Sequence, residues 1–96
     1  MRIGVKANND PRLRSDMEEV VLDLDATDWH TYAAEWTADR VRFFVDDRLV
    51  RTVYQRIDYP LQLMVDLFEF PEGTDRDPAY PKTGEVKAVR GYRRLL

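Results

Sequence analysis

No cysteine occurs in the 96 residues, which removes disulfide scaffolds, thiolate zinc sites and thiol nucleophiles and leaves the compartment open. No charge of one sign dominates either. With 15 basic and 18 acidic side chains and a formal net charge of −3, the chain has no electrostatic stripe for nucleic acid or anionic lipid, so neither nucleic acid nor membrane is expected as a partner. No apolar run reaches the roughly 20 residues of a membrane span. The opening Met1-Arg2-Ile3-Gly4-Val5-Lys6 breaks at Lys6 and again at Asn8-Asn9-Asp10-Pro11, before a signal-peptide core can form. A soluble chain without an export signal is expected, its localisation otherwise unread. His30 is the only histidine, and without a second His or a Cys a zinc site is not expected. No sequence feature calls for a metal or a cofactor.

The chain does have the material for a packed core: 44% of its residues are hydrophobic and 11% aromatic, which separates it from disordered sequences. At 11.4 kDa it fits one small domain, residues 1–96. Of the 15 basic residues, 12 are Arg, a bias to which no function is attached. The apolar periodicity is close to two along most of the chain, and this predicts strands rather than helices.

Residues 2–8 place Ile3, Val5 and Ala7 on one face and Gly4, Lys6 and Asn8 on the other, before Asn9-Asp10-Pro11 ends the strand. A second strand is expected over 18–25, with Val20, Leu22 and Leu24 turned inward. A third, over 30–37, sets Tyr32, Ala34 and Trp36 opposite Thr31, Ala33 and Glu35, with both faces partly covered. Residues 41–45 and 49–53 flank Asp46-Asp47-Arg48, the pattern of a tight hairpin whose Asp residues tolerate positive φ. Pro60 opens the longest apolar run, 61–70, a central strand in this reading. Residues 71–84 hold three prolines and two glycines, too many breakers for regular structure. A last strand is expected over 85–92. Seven short strands joined by turns predict an all-β fold, an antiparallel β-sandwich.

Two strings, Trp29-His30-Thr31-Tyr32-Ala33-Ala34-Glu35-Trp36-Thr37 and Val41-Arg42-Phe43-Phe44-Val45-Asp46-Asp47-Arg48-Leu49-Val50, occur in order. Together they resemble a stretch of the family-16 glycoside hydrolases, the concanavalin A-like jelly-roll enzymes that include laminarinases, lichenases and carrageenases. Further along, Gln62-Leu63-Met64-Val65-Asp66-Leu67-Phe68 resembles that family's "x-I-M-M-N-L-W" strand, and Val86-Lys87-Ala88-Val89-Arg90-Gly91-Tyr92 its terminal "V-D-Y-V-R-V-Y". The resemblance runs from about residue 17 to 92. It implies the C-terminal portion of such an enzyme, an incomplete jelly roll with exposed sheet edges that favour self-association.

The resemblance also implies a site. Residue by residue, it makes Lys6, Asn8, Asp66 and Phe68 substrate-binding, with Asp66 where the family usually has Asn and Phe68 where it usually has Trp. A polysaccharide or oligosaccharide is the partner so implied. Against this stands a plainer reading, in which Met64 and Phe68 pack under a loop and Asp66 pairs with an Arg. Trp36 and Glu35 leave a similar choice between groove and core, and His30 reads as a hydrogen-bonded residue at a strand start. The family's calcium-binding Asp in the terminal block is Lys87 here, and an ammonium repels a cation. Asp75 and Asp77 read as solvated loop residues.

The family's catalytic strand carries "E-x-D-x-x-E", and no such pattern occurs in this chain. Retaining glycoside hydrolysis needs two carboxyl groups about 5–5.5 Å apart, one ionised and one protonated. The same-face pair Asp23 and Asp25 lies beside a turn, while Glu69 has apolar neighbours. No catalytic residue is therefore assigned. The expected function is that of part of a glycoside hydrolase acting on β-linked polysaccharide, inactive as this chain alone. The alternative is a non-catalytic carbohydrate-binding or protein-interaction module.

Overall fold

The computed structural model describes residues 1–66 and 83–93. These fall in two compact units, Met1–Leu61 and Gln62–Leu96, and each is described by itself. Among the described residues there are five strands and no helix, all strand pairing being antiparallel. The fold is all-β, as the period-two pattern predicts.

In the first unit, β1 (Arg2–Val5) pairs with β2 (Asp16–Glu19), while β3 (Tyr32–Trp36), β4 (Val41–Val45) and β5 (Arg48–Val53) form a second sheet in that order. The β4–β5 hairpin is the best-specified element. Its two-residue turn puts Asp46 at φ 49° and Asp47 at φ 64°, the doubly left-handed geometry whose twist matches that of paired strands. The register is interrupted between Phe43 and Phe44: Phe43 faces Arg51 and Phe44 faces Leu49. Val50 is the extra residue of a β-bulge, and the bulge restores an inward Arg51 and Val53 after the turn.

Directly paired residues point to the same side of a sheet. The rows Trp36–Val41–Val53 and Ala34–Phe43–Arg51 therefore share one face. Val41 and Val53 on that face pack with Val5 and Ile57, and Leu13, Phe43 and Tyr59 partly cover the cluster. Ile3 and Val45 are also buried.

The two sheets are joined by a polar bolt as well as by this small core. Arg51 is nine-tenths buried in its side chain. It donates from Nη1 to the carbonyls of Ile3 (2.5 Å) and Asp16 (2.8 Å), and from Nη2 to the Asp16 carboxylate. Glu18 stands 3.4 Å from its Nε. Gly4 permits the close approach: a Cβ there would run into the Asp16 carbonyl and the Arg51 guanidinium. Gln55 extends the join, its buried amide accepting from Arg14 N and donating to Arg14 O, as a neighbouring strand would.

Several boundaries differ from the sequence expectation. The first strand stops at Val5 rather than residue 8, because Asn8 and Asn9 take φ 48° and 66° and turn the chain. The second begins and ends earlier than 18–25. It follows its partner, and the last bond of the ladder runs from Val20 N to Met1 O. Beyond that point Val21 is 93% exposed, so an alternating pattern alone does not make a strand without a neighbour. β3 lies at a sheet edge with every residue exposed, not covered on both faces.

In the second unit, described residues 62–66 and 83–93 form no strand and are exposed. The expected strand over 61–70 is thus not formed in its described part, and residues 67–70 lie outside the described residues. The expected strand over 85–92 is likewise not formed. Val86 and Val89 are more than half exposed, and no described strand pairs with this segment. Most of the proline-rich stretch 71–84 lies outside the described residues.

Candidate functional site

Lys6 and Asn8 follow the end of β1 and are exposed at the turn that leads to Asp10. The turn is fixed by local bonds: Ala7 N donates to Ser15 Oγ (3.1 Å) and Asp10 N to Ala7 O (2.9 Å). Asp66 belongs to the second unit and is exposed, while Phe68 lies outside the described residues. Met64 is 64% exposed.

Beside that turn sits a polar cluster absent from the sequence reading. Arg12 grips the Asp10 carboxylate through Nε (3.0 Å) and Nη2 (2.9 Å), and its guanidinium lies 3.6 Å from the centroid of the Tyr59 ring. The Tyr59 hydroxyl donates to Asp10 as well (3.2 Å). These donors, Arg12 foremost, hold the Asp10 carboxyl down at about 2. Desolvation is the largest cause raising the Tyr59 phenol, followed by Asp10. The opposite charges of Asp10 and Arg12, two residues apart, are visible in the sequence, but Tyr59 is too distant for pattern reading to join them.

His30 stands at the start of β3 with its side chain 13% exposed. Its Nδ1 lies 2.7 Å from Asp46 Oδ2 and its Nε2 2.6 Å from the carbonyl of Asp25. Asp46 also accepts from Thr31 N (3.0 Å), and Asp25 accepts from Thr27 N (2.9 Å) and Oγ1 (2.6 Å). The expected role of His30 as a hydrogen-bonded residue at a strand start is what the structure contains. Asp46 raises the His30 pKa most, the Asp25 carbonyl next. In return the Thr31 amide, then His30, lowers that of Asp46.

Trp36 and Glu35 face opposite sides, as their adjacency on a strand requires. Trp36 is 42% exposed, and its Nε1 donates to Ile57 O at 2.6 Å. Glu35 is gripped by Arg42, its cross-strand partner, with Nη2 2.7 and 2.8 Å from the two carboxylate oxygens. The pair cannot line one groove.

Among the described residues the carboxyl groups that depart from ordinary values, Asp10, Asp25, Asp46 and Asp58, all move downward because a donor stabilises the ionised form. A general acid for glycoside cleavage needs the opposite shift. One apolar cleft, of about 240 Å³, is lined by Ile3, Met17, Tyr32, Phe43 and Val45 among others, a surface that offers little to sugar hydroxyls. Among the described residues no cluster of His, Asp or Glu is arranged to hold a metal ion.

Comparison with known proteins gives one positive result. The model of one family, described as glycosyl hydrolases family 16, matches residues 7–78, three quarters of the chain. The match takes in the 29–37 and 41–50 strings and the 62–68 block. It begins ten residues before the resemblance drawn from the sequence and ends before the 86–92 block. No curated protein and no solved structure matches the chain.

Proposed function

Because the chain belongs to the glycosyl hydrolases of family 16, we propose that it engages β-linked polysaccharide, of the laminarin or lichenan kind, without cleaving it. The family match supports this reading, since it includes Asn8, Asp66 and Phe68, with Lys6 just before its first residue. Lys6 and Asn8 supply hydrogen-bonding groups to sugar hydroxyls, Asp66 an acceptor, and Phe68 a ring for stacking. Retaining hydrolysis belongs to an intact parent enzyme that has the "E-x-D-x-x-E" strand, which is missing from these residues. The jelly-roll architecture is part of the same proposal. So is self-association through β3, which among the described residues is hydrogen-bonded to β4 alone and whose residues are all exposed.

The test is an NMR titration of the full chain with β-1,3- and mixed-linkage gluco-oligosaccharides. The expected result is saturable shifts centred on Lys6, Asn8, Asp66 and Phe68, weakened severalfold by Asp66→Ala. Shifts confined to other residues would remove the assigned site, and no shifts with any oligosaccharide would leave the protein-interaction alternative.

A further inference from the structure

The ring of His30 has two close partners, and both are acceptors: a carboxylate oxygen of Asp46 at Nδ1 and a backbone carbonyl of Asp25 at Nε2. A neutral imidazole carries one N–H and one lone pair. It can serve one of these partners but not both, because the second nitrogen would face an oxygen lone pair to lone pair. Only the imidazolium donates on both sides. The charged groups acting on the ring, Asp46 from the hairpin turn and Asp25 and Asp28 from the segment before β3, are all acidic. The Tyr32 ring lies in a T-shaped contact with it, with ring centroids 6.3 Å apart.

The two partners belong to different parts of the first unit. Asp46 is the first residue of the β4–β5 turn, held at φ 49°. Asp25 starts the turn that closes through Asp28 N to Asp25 O at 3.1 Å. Between Val20 and Asp28 the chain pairs with no strand. We infer that His30 is a proton-operated latch, which in its doubly protonated form fastens the 25–28 turn to the β4–β5 hairpin and on deprotonation lets that turn go. The carboxylate keeps the remaining proton on Nδ1, since the charge-assisted bond is the stronger, so the bond to the Asp25 carbonyl is the one lost. A histidine whose folded-state pKa is raised gives stabilisation that is complete below its ordinary value of 6.5 and is lost as the pH rises through the folded value. The latch is closed in mild acid and opens toward alkaline pH.

Because the chain has a single histidine, the imidazole ¹⁵N signals of the uniformly labelled full chain report on His30 alone. Their titration is followed from pH 5.5 to 9, together with amide protection factors at residues 25–28. The expected midpoint lies above 6.5, and protection of Asp28 falls by up to about tenfold per pH unit between 6.5 and that midpoint. Asp46→Asn reverses the sign: the new amide donates to Nδ1, the neutral ring donates from Nε2 to Asp25 O, and protection is then lost as the pH falls. His30→Gln abolishes the pH dependence and provides the same test should the first variant not fold. A midpoint at or below 6.5, protection that is flat with pH, or the parent's pH dependence persisting in His30→Gln would each overturn the latch.

Discussion

Replacing Arg51 with Met tests how the two sheets are held together. The substitution keeps an apolar stem and removes the guanidinium, so the carbonyls of Ile3 and Asp16 keep their ladder partners in β1 and β2 and lose their second, charged donor. A hydrogen bond to a charged group contributes about 1.5–3 kcal/mol net. The carboxylates add less than a fully buried pair would, because the Asp16 and Glu18 side chains are 36% and 67% exposed and water replaces much of what they lose. A net destabilisation of about 2–3 kcal/mol follows, which for a domain of this size corresponds to a fall in Tm of roughly 10–20 °C.

Thermal and urea unfolding followed by far-ultraviolet circular dichroism measure the change. Amide exchange shows where it acts, with the largest loss of protection in β1 and β2. A double-mutant cycle with Asp16→Asn then isolates the pairwise term, expected to exceed about 0.5 kcal/mol. A loss below about 0.5 kcal/mol for Arg51→Met, within the range of an ordinary surface substitution, would refute the bolt.

Two further outcomes follow from the turns. Asp47→Gly relieves a left-handed φ of 64° and raises stability by about 0.5–1 kcal/mol, read as a higher urea midpoint at unchanged slope. Asp46→Gly, at φ 49°, has the opposite effect because it removes the acceptor of Thr31 N and His30. Asp10, held at about 2 by Arg12, contributes stability that is present above the ordinary 3.8 and is lost as the pH falls toward 2. Arg12→Ala returns the Asp10 carboxyl toward 3.8, as a carbon-detected NMR titration will show, and a midpoint still near 2 would contradict the assignment of cause.

What the sequence discloses here depends on the range of the interaction. The β4–β5 hairpin is legible to within one residue, because its turn chemistry and both of its strands lie within 13 consecutive positions. The all-β class follows from the alternation. The placement of β2 does not, because Asp16–Glu19 lacks the apolar alternation that 18–25 displays. It is chosen by pairing with β1, by the tolerance of Gly4 and by Arg51, which lies 35 residues beyond Asp16. Alternation over 85–92 misleads for the converse reason: with no described strand beside it, a period-two pattern has nothing to pair with. Of the candidate site, His30 was readable as a structural histidine. Its two acceptors, 5 and 16 residues away, emerge only when the turns are folded.

The central proposal is that this family-16 chain, whose sequence has no "E-x-D-x-x-E" strand, binds β-linked polysaccharide and leaves it intact. Isothermal titration of the full chain with a soluble β-glucan, with reducing ends assayed in the same samples, tests both halves. Saturable heat with no new reducing ends is the predicted result. New reducing ends that disappear in Asp66→Ala, or no heat with any β-glucan, would contradict it.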